Sequence, residues 1–253
     1  MYTIYILAFL VGLCFGSFAS VIIYRLHDKS RGFVWGRSHC PKCKHPLAAK
    51  DLIPIVSFVV SGRKCRYCRK PISFTYPLLE LTMGTGFVLT TILTGVQTSW
   101  LLAYYLFLTF IFVTISYYDV LFQEIPDSLS LPTIVLAGLI GYFGRLNTLS
   151  SLGIGFAIPV AFFGVLFMVS RGRWLGGGDI RIGALIGLVL GWPNIIVALF
   201  LAYLLGSIFS ALGLIFGKLT RKSPIPFGPF LFLGAYITLF WGQRILEWYL
   251  NLV

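Results

Sequence analysis

Residues 99–119 read SWLLAYYLFLTFIFVTISYYD, an uncharged run from Ser99 to Tyr118 closed by a single acid, Asp119. About 20 such residues in a helix rise roughly 30 Å, the thickness of a bilayer's hydrocarbon core, so the stretch predicts a membrane-spanning helix. A carboxylate at the edge of a span is expensive and rarely tolerated without a job. Taken alone, Asp119 reads equally well as a solvated interfacial group. A second acid changes that reading: Asp179, in Gly176-Gly177-Gly178-Asp179, ends another apolar stretch 60 positions further on. That interval holds two spans and a short turn, and an even number of crossings returns Asp179 to the side of Asp119. Two carboxylates brought together cannot both ionise readily, so near neutral pH one keeps its proton while the other activates a water. The pair predicts aspartic peptidase chemistry.

Composition carries the fold class. The 253-residue chain is 58% hydrophobic and 11% charged, with a mean hydropathy of +0.89. Soluble proteins carry about 25% charged residues, so the chain reads as an all-α polytopic membrane protein. Apolar runs fall at 2–24, 77–96, 99–118, 128–145, 150–170, 180–197, 198–217 and 227–250, which predicts about eight transmembrane helices. The first run is too long for a signal peptide and lacks a basic start and a small-residue cleavage site, so it reads as a retained helix.

Charge sets the orientation. The segment from Arg25 to Tyr76 holds 12 of the 20 Lys and Arg residues against two acids, Asp28 and Asp51. Positive loops stay in the cytoplasm, so this loop is expected there. Counting spans onward puts Arg171, Arg173, Arg181, Lys218, Arg221 and Lys222 on the same side, leaving only Arg145 among the opposite loops near Gly95–Ser99, Gly144–Ser150 and Gly191–Asn194. Asp119 and Asp179 come out at the cytoplasmic face of the inner or plasma membrane. The expected organisation is a first helix over 1–24, a cytoplasmic domain over 25–76 and a helical core over 77–253 that carries both acids. A pI near 9.7 raises the question of nucleic acid. There is no basic helix interleaved with aromatics and the charge hugs membrane boundaries, so anionic lipid is the expected partner and nucleic acid is not.

Within the basic loop, Cys40-Pro41-Lys42-Cys43 and Cys65-Arg66-Tyr67-Cys68 form two CxxC pairs. Each pair offers two sulfurs from one tight turn, and four thiolates close a tetrahedron with no open position, so Cys40, Cys43, Cys65 and Cys68 predict a structural zinc site. The loop is too poor in apolar residues to fold unaided, and metal would supply the missing stability. Disulfides or free thiols are the competing reading, and a reducing cytoplasm does not sustain the former. His39 and His45 flank the first pair and read as solvated. Cys14, alone in the first helix, reads as a small packing residue.

Around the acids, Pro126 stops any helix and Asp127 is placed to cap the next one. Glu124 and Asp127 read as interfacial or capping groups, with a basic substrate as their alternative partner. Gly176, Gly177 and Gly178 read as a loop that gives a substrate strand or helix close access to the backbone, with a helix starting near Ile180 just after Asp179. Small residues in Gly16-Ser17-Phe18-Ala19-Ser20 suit close helix packing, Pro159 implies a kink, and the Pro224–Pro229 segment reads as a rigid lead-in to the last helix. No internal repeat is visible.

Together these residues resemble the type IV prepilin peptidases. The resemblance runs from Gly16-Ser17-Phe18 and Tyr24-Arg25-Leu26 through the double CxxC loop to Ile72-Ser73 and Tyr76-Pro77 with Glu80. It continues with Asp119, Ile125-Pro126-Asp127 and Gly176 to Asp179, and ends at Ile225-Pro226-Phe227-Gly228-Pro229. It implies a GxGD-type aspartic peptidase with Asp119 and Asp179 as the catalytic pair. Such enzymes remove a short basic leader from prepilins or pseudopilins of type IV pilus, secretion and competence systems. Many also methylate the new N-terminus with S-adenosylmethionine, a cofactor for which no glycine-rich nucleotide fingerprint is visible here. Ala19-Ser20 stands where the family often shows Leu-Asn, and Arg181 where Lys is usual. A basic enzyme face should repel a basic leader, so Glu80, Glu124 and Asp127 are candidate leader contacts. The rival class is an ion-coupled transporter using intramembrane carboxylates, which accounts for the acids but not for the cysteine loop.

Overall fold

A computed structural model describes residues 2–28, 36–95, 99–220 and 223–252. Lys29, Arg31, Arg221, Lys222 and positions 96–98 of the Gly95–Ser99 turn, all used above to orient the chain, lie outside the described residues. Among the described residues the chain forms nine α-helices and no strand: α1 Tyr2–His27, α2 Val56–Val60, α3 Thr75–Thr94, α4 Ser99–Phe122, α5 Asp127–Phe143, α6 Leu149–Ser170, α7 Gly177–Leu190, α8 Asn194–Ile215 and α9 Gly228–Leu250. All but the short α2 fall on the predicted apolar runs. By length and composition α1, α3, α4 from Trp100, α6 and α8 can cross a membrane, and α5 is a shorter apolar helix. Large apolar side chains stand exposed along these helices, among them Met168, Phe200, Phe209 and Ile215. That surface belongs in lipid, as expected of a multi-pass membrane protein.

The sixth run differs from its expected extent. Instead of covering 180–197, α7 spans 14 residues and ends at Leu190. It is about 21 Å long, shorter than the hydrocarbon core. Gly191 terminates it with a φ of 66°, and Pro193 precedes the new helix that starts at Asn194.

The chain divides into two compact units, Met1–Tyr117 and Tyr118–Val253. In the first, α1 lies against α3 at backbone distance: a Cβ on Gly12 would sit 2.7 Å from Gly84 Cα, and one on Gly16 2.6 Å from Glu80 Cα. Small residues at such a seam let van der Waals packing hold helices together where lipid offers no hydrophobic drive. Gly12, Gly16 and Ala19 define that seam, so Cys14, two positions from each glycine, turns outward and is exposed, contrary to its expected packing role. Two hydroxyl pairs join α3 to α4, Thr90 to Thr109 at 2.8 Å and Thr82 to Tyr117 at 2.9 Å. Thr109 and Thr82 also reach the carbonyls of Tyr105 and Leu78 in their own helices, so each hydroxyl pair ties the interface to a helix backbone.

In the second unit, α7 is the buried centre, packed by α5, α6 and α9. Its glycines set the approach of α6: a Cβ on Gly187 would lie 2.0 Å from the Gly155 carbonyl oxygen, and one on Gly183 2.8 Å from the Phe163 ring. Between α8 and α9, Gly234 meets the Ala198 carbonyl in the same way. Pro159 is accommodated inside a continuous α6 and packs towards Gly183.

Candidate active site

Asp119 lies in the last turn of α4, and Gln123, with a φ of 55°, ends that helix before Pro126. Asp119 is 6% exposed, which removes the reading of a solvated interfacial group. Its Oδ2 accepts the backbone N–H of Gly228, the first residue of α9, at 2.9 Å. Asp179 is 8% exposed, and its Oδ2 accepts the N–H of Gly176 at 3.1 Å. Each acid therefore has one oxygen held by a backbone donor at the start of a helix, where unpaired N–H groups and the helix dipole favour negative charge. Among the described residues neither acid has a further hydrogen-bond partner. The two carboxyl groups line one cavity of about 460 Å³ together with Glu124, Trp174, Arg181 and Phe227. A cavity of this size lies in the range of small ligand clefts.

Local structure differs from expectation at two points. Asp179 does not precede its helix: α7 begins at Gly177, and Asp179 sits in the first turn with its side chain reaching back to the Gly176 N–H. Gly176 to Gly178 still line the cavity, but as a helix start and not as an extended loop. Gly178 is packed, since a Cβ there would lie 2.6 Å from Ile125 Cδ1, whereas one on Gly177 would meet nothing within 4 Å. Asp127 does not cap α5 either. It is the first helical residue, behind Pro126, and its carboxylate pairs with Arg181.

The three other acids singled out in the sequence have different fates. Glu124 is exposed at the cavity, while Asp127 is engaged by Arg181. Glu80 belongs to the first unit, is 8% exposed, and accepts the Ile55 N–H at the start of α2 at 2.8 Å. It ties the cysteine loop to α3. Gly228 was missed as a site residue, although it lies in the Ile225-Pro226-Phe227-Gly228-Pro229 motif, a glycine set between Phe227 and Pro229 at a helix start.

The cysteine loop brings the Sγ atoms of Cys40, Cys43, Cys65 and Cys68 within 4.8 Å of one another. His39 and His45 are not in that group, and the His45 ring packs tilted against Tyr67 with ring centroids 3.8 Å apart. Two matching turns build the cluster. Cys40 N–H donates to the His45 carbonyl and Lys44 N–H to the Cys40 carbonyl; Cys65 N–H donates to Lys70 and Arg69 N–H to Cys65. Lys44 and Arg69 occupy the same left-handed position, at φ 58° and 60°. Behind this lies a short repeat, HCPKCKHP over 39–46 and KCRYCRKP over 64–71, too brief to register before its geometry is seen. Asp51 braces the second turn by accepting Tyr67 Oη at 3.0 Å and Arg66 Nε at 3.0 Å.

The donor set fits zinc. Burial pushes the Cys40 thiol up, but N–H groups of Cys43 and Lys42 and the thiols of Cys65 and Cys43 bring it down to about 7. The Lys70 N–H pulls Cys68 down, yet burial and the thiols of Cys65, Cys43 and Cys40 hold it up at about 11. Four sulfurs this close cannot all ionise on their own; a divalent cation at their centre lets them.

Known proteins resemble this chain along almost its whole length. Residues 10–94 match the Bacterial Peptidase A24 N-terminal domain, and residues 105–211 the Type IV leader peptidase family. The chain is 30% identical over 276 residues to a Prepilin leader peptidase/N-methyltransferase of Aeromonas salmonicida, covering 98% of this chain and 94% of that protein. A Bacillus subtilis protein of the same name is 31% identical over 247 residues, with 96% and 97% coverage. One from Pseudomonas aeruginosa is 28% identical over 273 residues, with 96% and 92% coverage. No solved structure matches.

Proposed function

We infer, from the premise that this chain belongs to the type IV prepilin peptidase family, that it is a membrane aspartic endopeptidase in which Asp119 and Asp179 act as one catalytic pair. The observation that carries the reading is the shared cavity: two buried carboxylates from helices far apart in sequence, each with Oδ2 held by a backbone N–H. With that oxygen fixed, the other oxygen of each acid serves the reaction. One aspartate, ionised, takes a proton from the attacking water as the other, protonated, gives its proton to the scissile carbonyl oxygen. As the tetrahedral intermediate collapses, the aspartate that took the water's proton gives it to the leaving amine, and the other takes back the proton of the former carbonyl oxygen, so the pair returns to its starting state. The pair titrates as a unit, so neither residue is assigned a fixed protonation state.

The substrate class is a type IV prepilin or pseudopilin, cut at its short basic leader at the cytoplasmic face. We propose that α1 and α3 to α9 all cross the membrane, the short α7 being packed among α5, α6 and α9, so that residues 119 and 179 fall at one face, and we take the basic 25–76 segment as the cytoplasmic zinc-binding domain between helix 1–24 and the core at 77–253. Glu124, the cavity acid not engaged by a cation, is the leader contact we favour. Gly177, open on its outer side, gives the substrate room to approach. Methylation of the new N-terminus, with S-adenosylmethionine as donor, is a second activity supported by the names of the relatives, and no residue of this chain is assigned to it. Purified protein incubated with a prepilin, with and without S-adenosylmethionine, tests both activities: mass spectrometry of the product reads leader loss and methyl gain separately. An intact precursor at full enzyme loading would refute the peptidase.

A further inference from the structure

We propose that Gly228 is a positioning residue of the catalytic pair: its N–H orients the Asp119 carboxylate, and its lack of a side chain lets the last helix begin against that carboxylate. The inference rests on the reading of Asp119 and Asp179 as the reacting groups and adds a backbone element to it.

The contact is close and buried. Gly228 N–H donates to Asp119 Oδ2 at 2.9 Å across 109 positions of sequence. A Cβ on Gly228 would lie 2.7 Å from that oxygen and 3.3 Å from the carboxyl carbon. Any side chain there must displace the acid it would otherwise hold. The flanking residues fix the donor. Pro229, in the first turn of α9, needs no hydrogen-bond partner and sets its own φ for the helix. Phe227 packs on Tyr203 with centroids 4.9 Å apart and edge-on to Phe163 at 6.4 Å, which anchors the segment to α8 and α6. The Gly228 N–H thus enters the site from a braced backbone.

Asp179 uses the same device in a local form, since its donor, Gly176, lies three residues away in the same turn. Asp119 has no such local donor; its orientation depends on α9 docking beside it. Reacting groups misplaced by about 1 Å can cost about 100-fold in rate, so loss of this hold should fall on the chemical step and not on binding.

The test is Gly228→Ala in the full-length protein, assayed for kcat and KM on a prepilin and for thermal stability in detergent. Gly164→Ala is the control, because a Cβ there meets nothing within 4 Å. The expected result is a kcat lowered at least about 30-fold with KM within about threefold, and an unchanged control. The added Cβ would also lie 3.3 Å from Ile182 Cδ1. Gly228→Ala combined with Ile182→Val removes that contact and should stay impaired; recovery of kcat would assign the loss to packing and overturn the proposal. Should Gly228→Ala melt well below wild type, an amide-to-ester replacement at position 228 deletes the donor without adding a side chain. A kcat loss of about tenfold or more supports the proposal, and wild-type kcat overturns it. Wild-type kcat in Gly228→Ala alongside a dead Asp119→Ala sinks this inference alone, whereas cleavage by Asp119→Ala sinks the catalytic pair itself.

Discussion

Replacing Cys65 with serine should release the cysteine loop from its fold and leave the membrane helices standing. Between residues 36 and 76 the only buried side chains are Cys40 and Cys65, so no apolar core replaces the metal when it goes. Two buried cysteines contribute at most about 2–3 kcal/mol, whereas apparent zinc binding in small four-ligand sites is worth about 10–16 kcal/mol. Outer groups that merely orient a ligand already change metal affinity about 10–100-fold, so loss of a thiolate should weaken zinc at least about 100-fold, or about 2.7 kcal/mol. Competition with a zinc-binding dye on the purified full-length protein gives the affinity, and limited proteolysis reports the fold of the loop. Wild type should bind one zinc and resist cleavage within 36–74 until chelated. Cys65→Ser should be cut there without chelation, while cleavage elsewhere is unchanged. A Cys65→Ser protein that binds zinc as wild type does, or a chelated wild type whose loop stays resistant, would refute the argument that metal holds this segment.

Two further outcomes follow from the geometry. Glu124→Lys should raise KM for a prepilin on the order of tenfold, about 1.4 kcal/mol, while kcat changes little, because like charges placed together cost binding and not chemistry; steady-state kinetics showing an unchanged KM would remove Glu124 as a leader contact. Gly187→Val should lower the thermal stability of the detergent-solubilised protein by about 1–3 kcal/mol or more, since its Cβ would lie 2.0 Å from the Gly155 carbonyl oxygen; an unshifted melting curve would contradict the packing of α6 on α7.

What the sequence made legible was what depends on neighbours in the chain. Length and hydropathy are local, so the runs at 2–24 and 150–170 mark α1 and α6 closely. The two CxxC turns carry their own geometry, and the four cysteines converge as expected. Distant partners were not legible. Asp127 looked like a helix cap because its partner, Arg181, lies 54 residues away and belongs to another helix. Gly228 read only as part of a rigid lead-in to the last helix because the carboxylate it binds is 109 positions earlier. Glu80 looked available to a substrate until the Ile55 N–H was found on it. The end of α7 at Leu190 was obscured by apolar residues that continue beyond Gly191, so hydropathy ran on where the backbone could not. The transporter alternative gains nothing from the fold or from the relatives, all three of which bear a peptidase name.

The central claim is that Asp119 and Asp179 perform the hydrolysis together. Product mass after incubating a prepilin with wild type, Asp119→Asn or Asp179→Asn, each confirmed as folded in the membrane fraction, tests it most directly. The account predicts leader removal by wild type and intact precursor with either variant, a loss well beyond 1,000-fold in rate and therefore more than about 4 kcal/mol. Leader removal at an appreciable rate by either single variant would contradict it.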